Sequence, residues 1–164
     1  IVIIYNSSMN IFILDWQHKT CAEYHCDKHV VKMPLETTQM LSTVHWRYNN
    51  DGPYLPVHQK HPCTLWAGQT VENYIWLWKL GIALCKEYTH RYDKVHSCER
   101  ILAILRLPPV QLTARGFTKP YQAMPDEYKH YDVIEGYKTY YINDKKRFAT
   151  WKKRKTPQFM LQEM

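Results

Sequence analysis

The stretch from Thr64 to Tyr92 constrains this chain more than any other. At the helical period it is apolar nearly all round: Ala67, Val71, Tyr74, Ile75, Trp78, Ile82 and Cys85 fall on one face, and Trp66, Trp76 and Leu80 on the other. A helix without a wet side has to sit between other elements, so the segment predicts a central helix. Its neighbours are of the right kind. From about Thr20, the set Ala22, Cys26, Val30, Met33, Thr37, Met40, Leu41 and Val44 recurs at three- and four-residue steps, the stripe of a half-buried helix. Pro34 lacks the N–H that would bond the Val30 carbonyl, so a break near Met33 and two pieces, 20–33 and 34–48, are expected.

The remaining punctuation agrees with helices. Asn49–Cys63 holds three prolines and an Asp-Gly and reads as a surface loop. "SCERILAILRL" reads as a shorter helix capped by Ser97 and stopped by Pro108-Pro109. A last helix opens at Asp132 as N-cap, with Val133, Tyr137, Tyr140, Tyr141, Phe148 and Trp151 facing inward. Val2 to Leu14 is isoleucine-rich, suiting one or two short strands or an extended packed arm. "MNIFILD" at Met9 reads as a start, which makes residues 1–8 an N-terminal extension. The expectation is a mainly α protein: one helical domain, 9–164, with a short extended arm.

The formal charge is +7, and "KKRFATWKKRK" from Lys145 to Lys155 carries seven basic residues and no acid. Cations for phosphates interleaved with Phe148 and Trp151 suit a nucleic acid. The candidate DNA contacts are Lys145, Lys146, Arg147, Trp151, Lys152, Lys153, Arg154 and Lys155; the competing reading is a solvated helix end. Five cysteines without a C-x-x-C pair or a signal-peptide core suit reduced thiols inside a cell, and no stretch is long enough for a membrane anchor. Nucleotide-loop, dinucleotide, nucleophile-elbow and H-E-x-x-H motifs are all absent.

The densest chemistry lies in "YHCDKHVVKMPLE", residues 24–36. On one helix continuing through Pro34, His25, Lys28, His29, Lys32 and Glu36 share an arc of about 100°, while Glu23 and Asp27 lie on the opposite flank of the apolar stripe. Three readings compete. His25 and His29 with Cys26, Cys63 or His61 would make a zinc site, although Cys26 points about 100° away from His25 and no second compact ligand pair exists. Lysines crowded by like charge beside a carboxylate would make an amine or acid–base centre. The third reading is structural, a set of satisfied polar groups on a helix edge. His58, His61 and Cys63 could line a pocket but read as solvated loop residues, and Tyr137, Tyr140 and Tyr141 as core with polar tips.

"MNIF-x-LD", "HCDKHVVKM-x-LE-x-x-Q-M-L", "HPC-x-x-W", "AMPDEYK" and "YY-x-x-DK-x-x-FA-x-W", at 9–15, 25–41, 61–66, 123–129 and 140–151, resemble a family of small phage-encoded proteins. More remotely, the layout resembles the pyrimidine dimer DNA glycosylases of the phage endonuclease V type. "QH" then "AEY" (Gln17, His18, Ala22, Glu23, Tyr24) is similar to their first helix, and "EYTHRYDK" to the end of their long helix. That resemblance implies attack by the mature N-terminal α-amine on the sugar C1′ of a damaged nucleotide, an imine, and a helix carboxylate assisting both glycosidic cleavage and strand scission. The acid is Asp27, Glu23 or Glu36; the amine belongs to the mature N-terminus (Ile1, Met9 or Asn10) or, if residues 1–8 are retained, to Lys28 or Lys32. The implied protein is a monomeric glycosylase and abasic-site lyase acting on double-stranded DNA, without metal or cofactor, in the cytoplasm of an infected bacterium. The alternatives are a phage base- or nucleotide-modifying enzyme and a non-catalytic nucleic-acid-binding accessory protein.

Overall fold

The computed structural model describes residues 9–161, and the expectations for residues 1–8 lie outside them. The described chain is helical: α1 (His18–Tyr24), α2 (Asp27–Arg47), α3 (Pro62–Ala67), α4 (Val71–Tyr92), α5 (Glu99–Ile104) and α6 (Val133–Tyr140), with single turns at Asp126–Tyr128, Tyr141–Lys145 and Gln158–Leu161. No strand occurs among the described residues. Met9–Leu14 is the extended arm, buried along its whole length. No described helix is long and apolar enough to cross a membrane.

The core is built where the sequence pattern places it, on α4. Tyr74, Leu77, Leu80, Leu84 and Cys85 are fully or nearly fully buried, and α2 and α1 pack along them. Gly81 sets the approach of α2: a Cβ there would lie 2.9 Å from Thr37 Cγ2 and 3.2 Å from both Leu102 methyls. The segment 64–92 is nevertheless two helices. Gly68 ends α3, and the Thr70 hydroxyl caps α4 by accepting the Asn73 N–H at 3.1 Å.

The expected break at Pro34 is not there. α2 runs through it, because Val30, Met33, Met40, Leu41 and Val44 are all buried. At roughly 1.5–3 kcal/mol each, their burial outweighs the ~3 kcal/mol of an internal proline. The break falls earlier, at His25 and Cys26, both extended, and distant groups satisfy the backbone it frees. Arg91 donates to the Glu23 and His25 carbonyls at 2.9 and 2.8 Å, and the Trp151 indole to the Tyr24 carbonyl at 3.0 Å. The Cys26 N–H donates to the Tyr141 hydroxyl at 3.2 Å, and the Asp27 N–H to the Thr150 carbonyl at 2.8 Å.

Two smaller expectations shift as well. α5 starts after Cys98 rather than Ser97, with the Cys98 N–H donating to His96 Nδ1 at 3.0 Å. Asp132 does cap α6, accepting the Ile134 N–H at 2.9 Å. The last helix stops well short of Trp151, however: after a wide turn at Tyr141–Lys145 the chain is irregular, and Phe148 and Trp151 are only partly buried. All five cysteines are buried and unbridged.

Candidate active site

The arm and α2 meet at one carboxylate. Glu36 is 4% exposed, and its two oxygens have different partners. The Asn10 main-chain N–H donates to Oε1 at 3.1 Å, and Lys32 Nζ, one turn earlier on α2, lies 3.2 Å from Oε2. Asn10 is held in turn: its amide donates to the Ala123 carbonyl at 2.8 Å, and its Oδ1 accepts the Tyr137 hydroxyl at 2.8 Å. Burial pushes the Glu36 carboxyl above the usual range, against the opposing pull of Lys32, the Asn10 N–H and Lys145. A carboxyl so placed can take or give a proton nearer neutrality than a free one.

His29 lies two turns earlier on α2. Its ring stacks on Phe12 of the arm, 4.2 Å between centroids at 14°, and Nδ1 is 2.5 Å from the Tyr141 hydroxyl. That oxygen also accepts the Cys26 N–H, so the phenol links the His29 ring to the helix break. Burial, then His25, Lys145, Lys32 and Lys28, push His29 down to about 2. It is a neutral ring packed in the wall of the site.

His25 does not share the α2 row, because the break places it at the end of α1. Its Nδ1 donates to the Cys21 carbonyl at 2.7 Å, its buried Nε2 has no partner, and burial pushes it down to about 4. The two imidazoles are 6.4 Å apart between centroids, and no three His, Cys, Asp or Glu side chains gather for a metal among the described residues.

The other acidic flank has a different environment. Arg91, fully buried, donates to Glu87 at 2.7 Å and to Asp27 at 3.0 Å besides the two carbonyls above. Asp27 also accepts the Thr150 hydroxyl at 2.7 Å and the Lys152 N–H at 2.9 Å. Arg154 bonds Glu87 through two nitrogens, at 3.0 and 2.8 Å, and lies 3.3 Å from Glu23. Glu23 and Asp27 are thus placed in a network that ties the C-terminal segment to the α1–α2 break.

The same network divides the basic run. Arg154 is consumed by it, Lys153 pairs with Asp93 at 2.7 Å, Lys152 lies over Tyr92 and Trp151 bonds Tyr24. Lys146 and Lys155 are exposed. Lys145 is instead at the carboxylate site, 4.5 Å from the Tyr140 ring centroid and 5.9 Å from that of Phe12. Lys28 and Arg147 flank the Phe148 ring at 4.6 and 5.3 Å. Among the described residues, Lys28, Lys145 and Arg147 have no carboxylate partner.

Sequence reasoning named Asn10 only as a possible N-terminus and Tyr137 and Tyr141 only as core with polar tips, and it gave Arg91 no role. Asn10 left no signal but its place in "MNIF"; Glu87 and Arg91 were visible as an acid–arginine pair four apart in "EYTHRYDK". Arm, α2 and α6 together make an all-helical protein with a buried carboxylate set between a main-chain nitrogen and a cluster of lysines. The family model for pyrimidine dimer DNA glycosylases matches residues 9–100, more than half of the chain, and the protein belongs to that family. The matched span includes Asn10, His29, Lys32 and Glu36 and stops short of Lys145. No curated protein and no solved structure matches the chain.

Proposed function

We propose that the protein is a DNA glycosylase with an attached lyase step, acting on pyrimidine dimer-like lesions in double-stranded DNA, and that Glu36 is its carboxylate. One observation carries this reading: of the three acids in the first two helices, Glu36 alone is buried beside an amine and outside the Arg91 network. In the reaction an amine bonds to C1′ as the N-glycosidic bond breaks and the base leaves with its electron pair. Ring opening makes the imine, and Glu36 accepts the C2′ proton as the 3′ C–O bond breaks. An ionised carboxylate beside C1′ also stabilises the positive charge that develops there.

Lys32, 3.2 Å from the Glu36 carboxylate, is one candidate amine. A second reading has its own support: the Asn10 nitrogen, 3.1 Å from Oε1, would be a primary amine already in position in a chain that begins there. Lys28, Lys145 and Arg147 take the backbone phosphates beside the extruded nucleotide, with Phe148 and Tyr140 as stacking surfaces. Borohydride trapping on duplex DNA with an abasic site, followed by peptide mapping, tests the reading. A covalent adduct on the Lys32 peptide or on an N-terminal Asn10 is expected; no adduct at high protein concentration would sink the imine route. Glu36→Gln should leave the adduct but abolish strand scission, and Asp27→Asn should leave both intact if the protein folds.

A further inference from the structure

Farther along α2, Thr43 and Arg47 follow Glu36 by seven and eleven residues, which at about 100° per residue returns both to within about 20° of its face. There, with Gln59, Lys60 and Thr64, they line a cavity of about 200 Å³. Two of the lining residues are cations and none is a carboxylate. Among the described residues neither Arg47 nor Lys60 has an ion-pair partner. The Thr43 hydroxyl is committed, donating to the Gln39 carbonyl at 2.8 Å and accepting the Val57 N–H at 3.1 Å. Thr64 differs: it is 3% exposed, and its buried hydroxyl has no hydrogen-bond partner among the described residues.

A cavity of this chemistry repels cations and would strand two charges against an apolar ligand. It suits a compact anion with several acceptor oxygens, which a planar guanidinium and an ammonium can share. Its position narrows the choice further. Lys28, Lys32, Glu36 and Arg47 occupy one arc of about 100° on α2, with the carboxylate between the two ends. The cavity residues on α2 lie about 10–16 Å along the axis from Glu36 at 1.5 Å per residue. At about 3.4 Å per nucleotide of a DNA strand this is roughly three to five nucleotides.

We propose that Arg47, Lys60 and Thr64 form a seat for a DNA backbone phosphate, on the opposite side of Glu36 from Lys28 and Lys145. The proposal rests on the DNA reading above and adds a second, remote anchoring point to it. The test compares the full chain with the variant Arg47→Gln/Lys60→Gln, both exposed positions, in equilibrium binding to undamaged duplex over a series of KCl concentrations. The slope of log affinity against log salt should become shallower by about 0.9, the share of one neutralised phosphate, and affinity at low salt should fall about 10-fold. A parallel arm measures melting temperature in inorganic phosphate against chloride at equal ionic strength. A rise for the wild type that is lost in the variant supports a phosphate-sized seat.

An unchanged DNA slope overturns the proposal. If phosphate still stabilises only the wild type, the cavity serves a free phosphate group and not DNA; if neither arm responds, it binds no phosphate. Because binding to undamaged duplex needs no chemistry, a wild type that shows the slope but traps no abasic-site adduct defeats the glycosylase reading alone and leaves the seat standing.

Discussion

Replacing Arg91 by methionine tests the account of the α1–α2 break. Methionine keeps most of the aliphatic volume, so the loss is polar: four hydrogen bonds, to Glu87, Asp27 and the carbonyls of Glu23 and His25. Glu87 keeps two bonds from Arg154 and is not left as an orphaned charge. The two main-chain acceptors are. An unsatisfied buried acceptor costs about 1–3 kcal/mol, and loss of the Asp27 pair, 17% exposed on that side, adds a smaller amount. We expect a loss of about 4 kcal/mol, a large share of the ~5–15 kcal/mol of an ordinary domain. At a typical urea dependence of about 2 kcal/mol/M, the denaturation midpoint should drop by about 2 M. A loss below about 1 kcal/mol with an unchanged denaturant slope would mean that water replaces the guanidinium and that the break has another cause.

Glu36→Gln should abolish strand scission and yet not weaken the fold at pH 7. The folded-state pKa of Glu36 is raised, so its contribution to stability is present below the unfolded carboxylate pKa and is lost as pH rises through the folded one. Urea denaturation should therefore find the glutamine variant level with wild type in acid and the more stable of the two at neutral pH; lower stability at pH 7 would refute the desolvation argument. His25 and His29 have the opposite linkage. With folded values near 4 and 2 against 6.5 unfolded, the unfolded chain binds about two extra protons as pH falls below 6.5. Stability should then decline on the order of 2–3 kcal/mol per pH unit toward pH 4, and a flat profile between pH 7 and 5 would contradict their burial as neutral rings. Gly81→Ala should cost about 1–3 kcal/mol by forcing Thr37 and Leu102 apart, readable as a lower melting temperature; no change would mean that α2 and α4 yield without cost. Lys145→Ala with Arg147→Ala should flatten the salt dependence of DNA binding by about two phosphate charges. Arg154→Ala should instead lower stability, through Glu87, and leave that slope alone; the reverse pattern would reassign the two halves of the basic run.

The helices themselves were legible along the chain. Periodic burial on α2 and α4 and the Asp132 cap are local signals, each written within a few residues and set by the geometry of one turn, whereas α5 ends at Ile104, short of the Pro108-Pro109 stop. The clustering of chemistry in 24–36 was legible too, and so was the list of acids from which Glu36 comes. What the chain could not show alone was which side of that cluster meets the arm. That depends on where the first helical stretch breaks, and the break is not caused by the proline that advertises one. It is caused by Arg91, Trp151, Tyr141 and Thr150, which lie 64 to 127 residues beyond the groups they satisfy.

For the same reason, seven adjacent cations looked alike in sequence. Charge is a property of the residue, but availability depends on the carboxylates the fold brings near it. Glu87, Glu23 and Asp93 neutralise Arg154 and Lys153 and leave Lys145 and Arg147 without acidic partners. Local turn geometry and burial period therefore determined that the chain would be a helical protein with a basic end. Only tertiary packing, by breaking the helix at Cys26 and bringing Asn10 against Glu36, decided which carboxylate the arm meets and which cations are left without acidic partners.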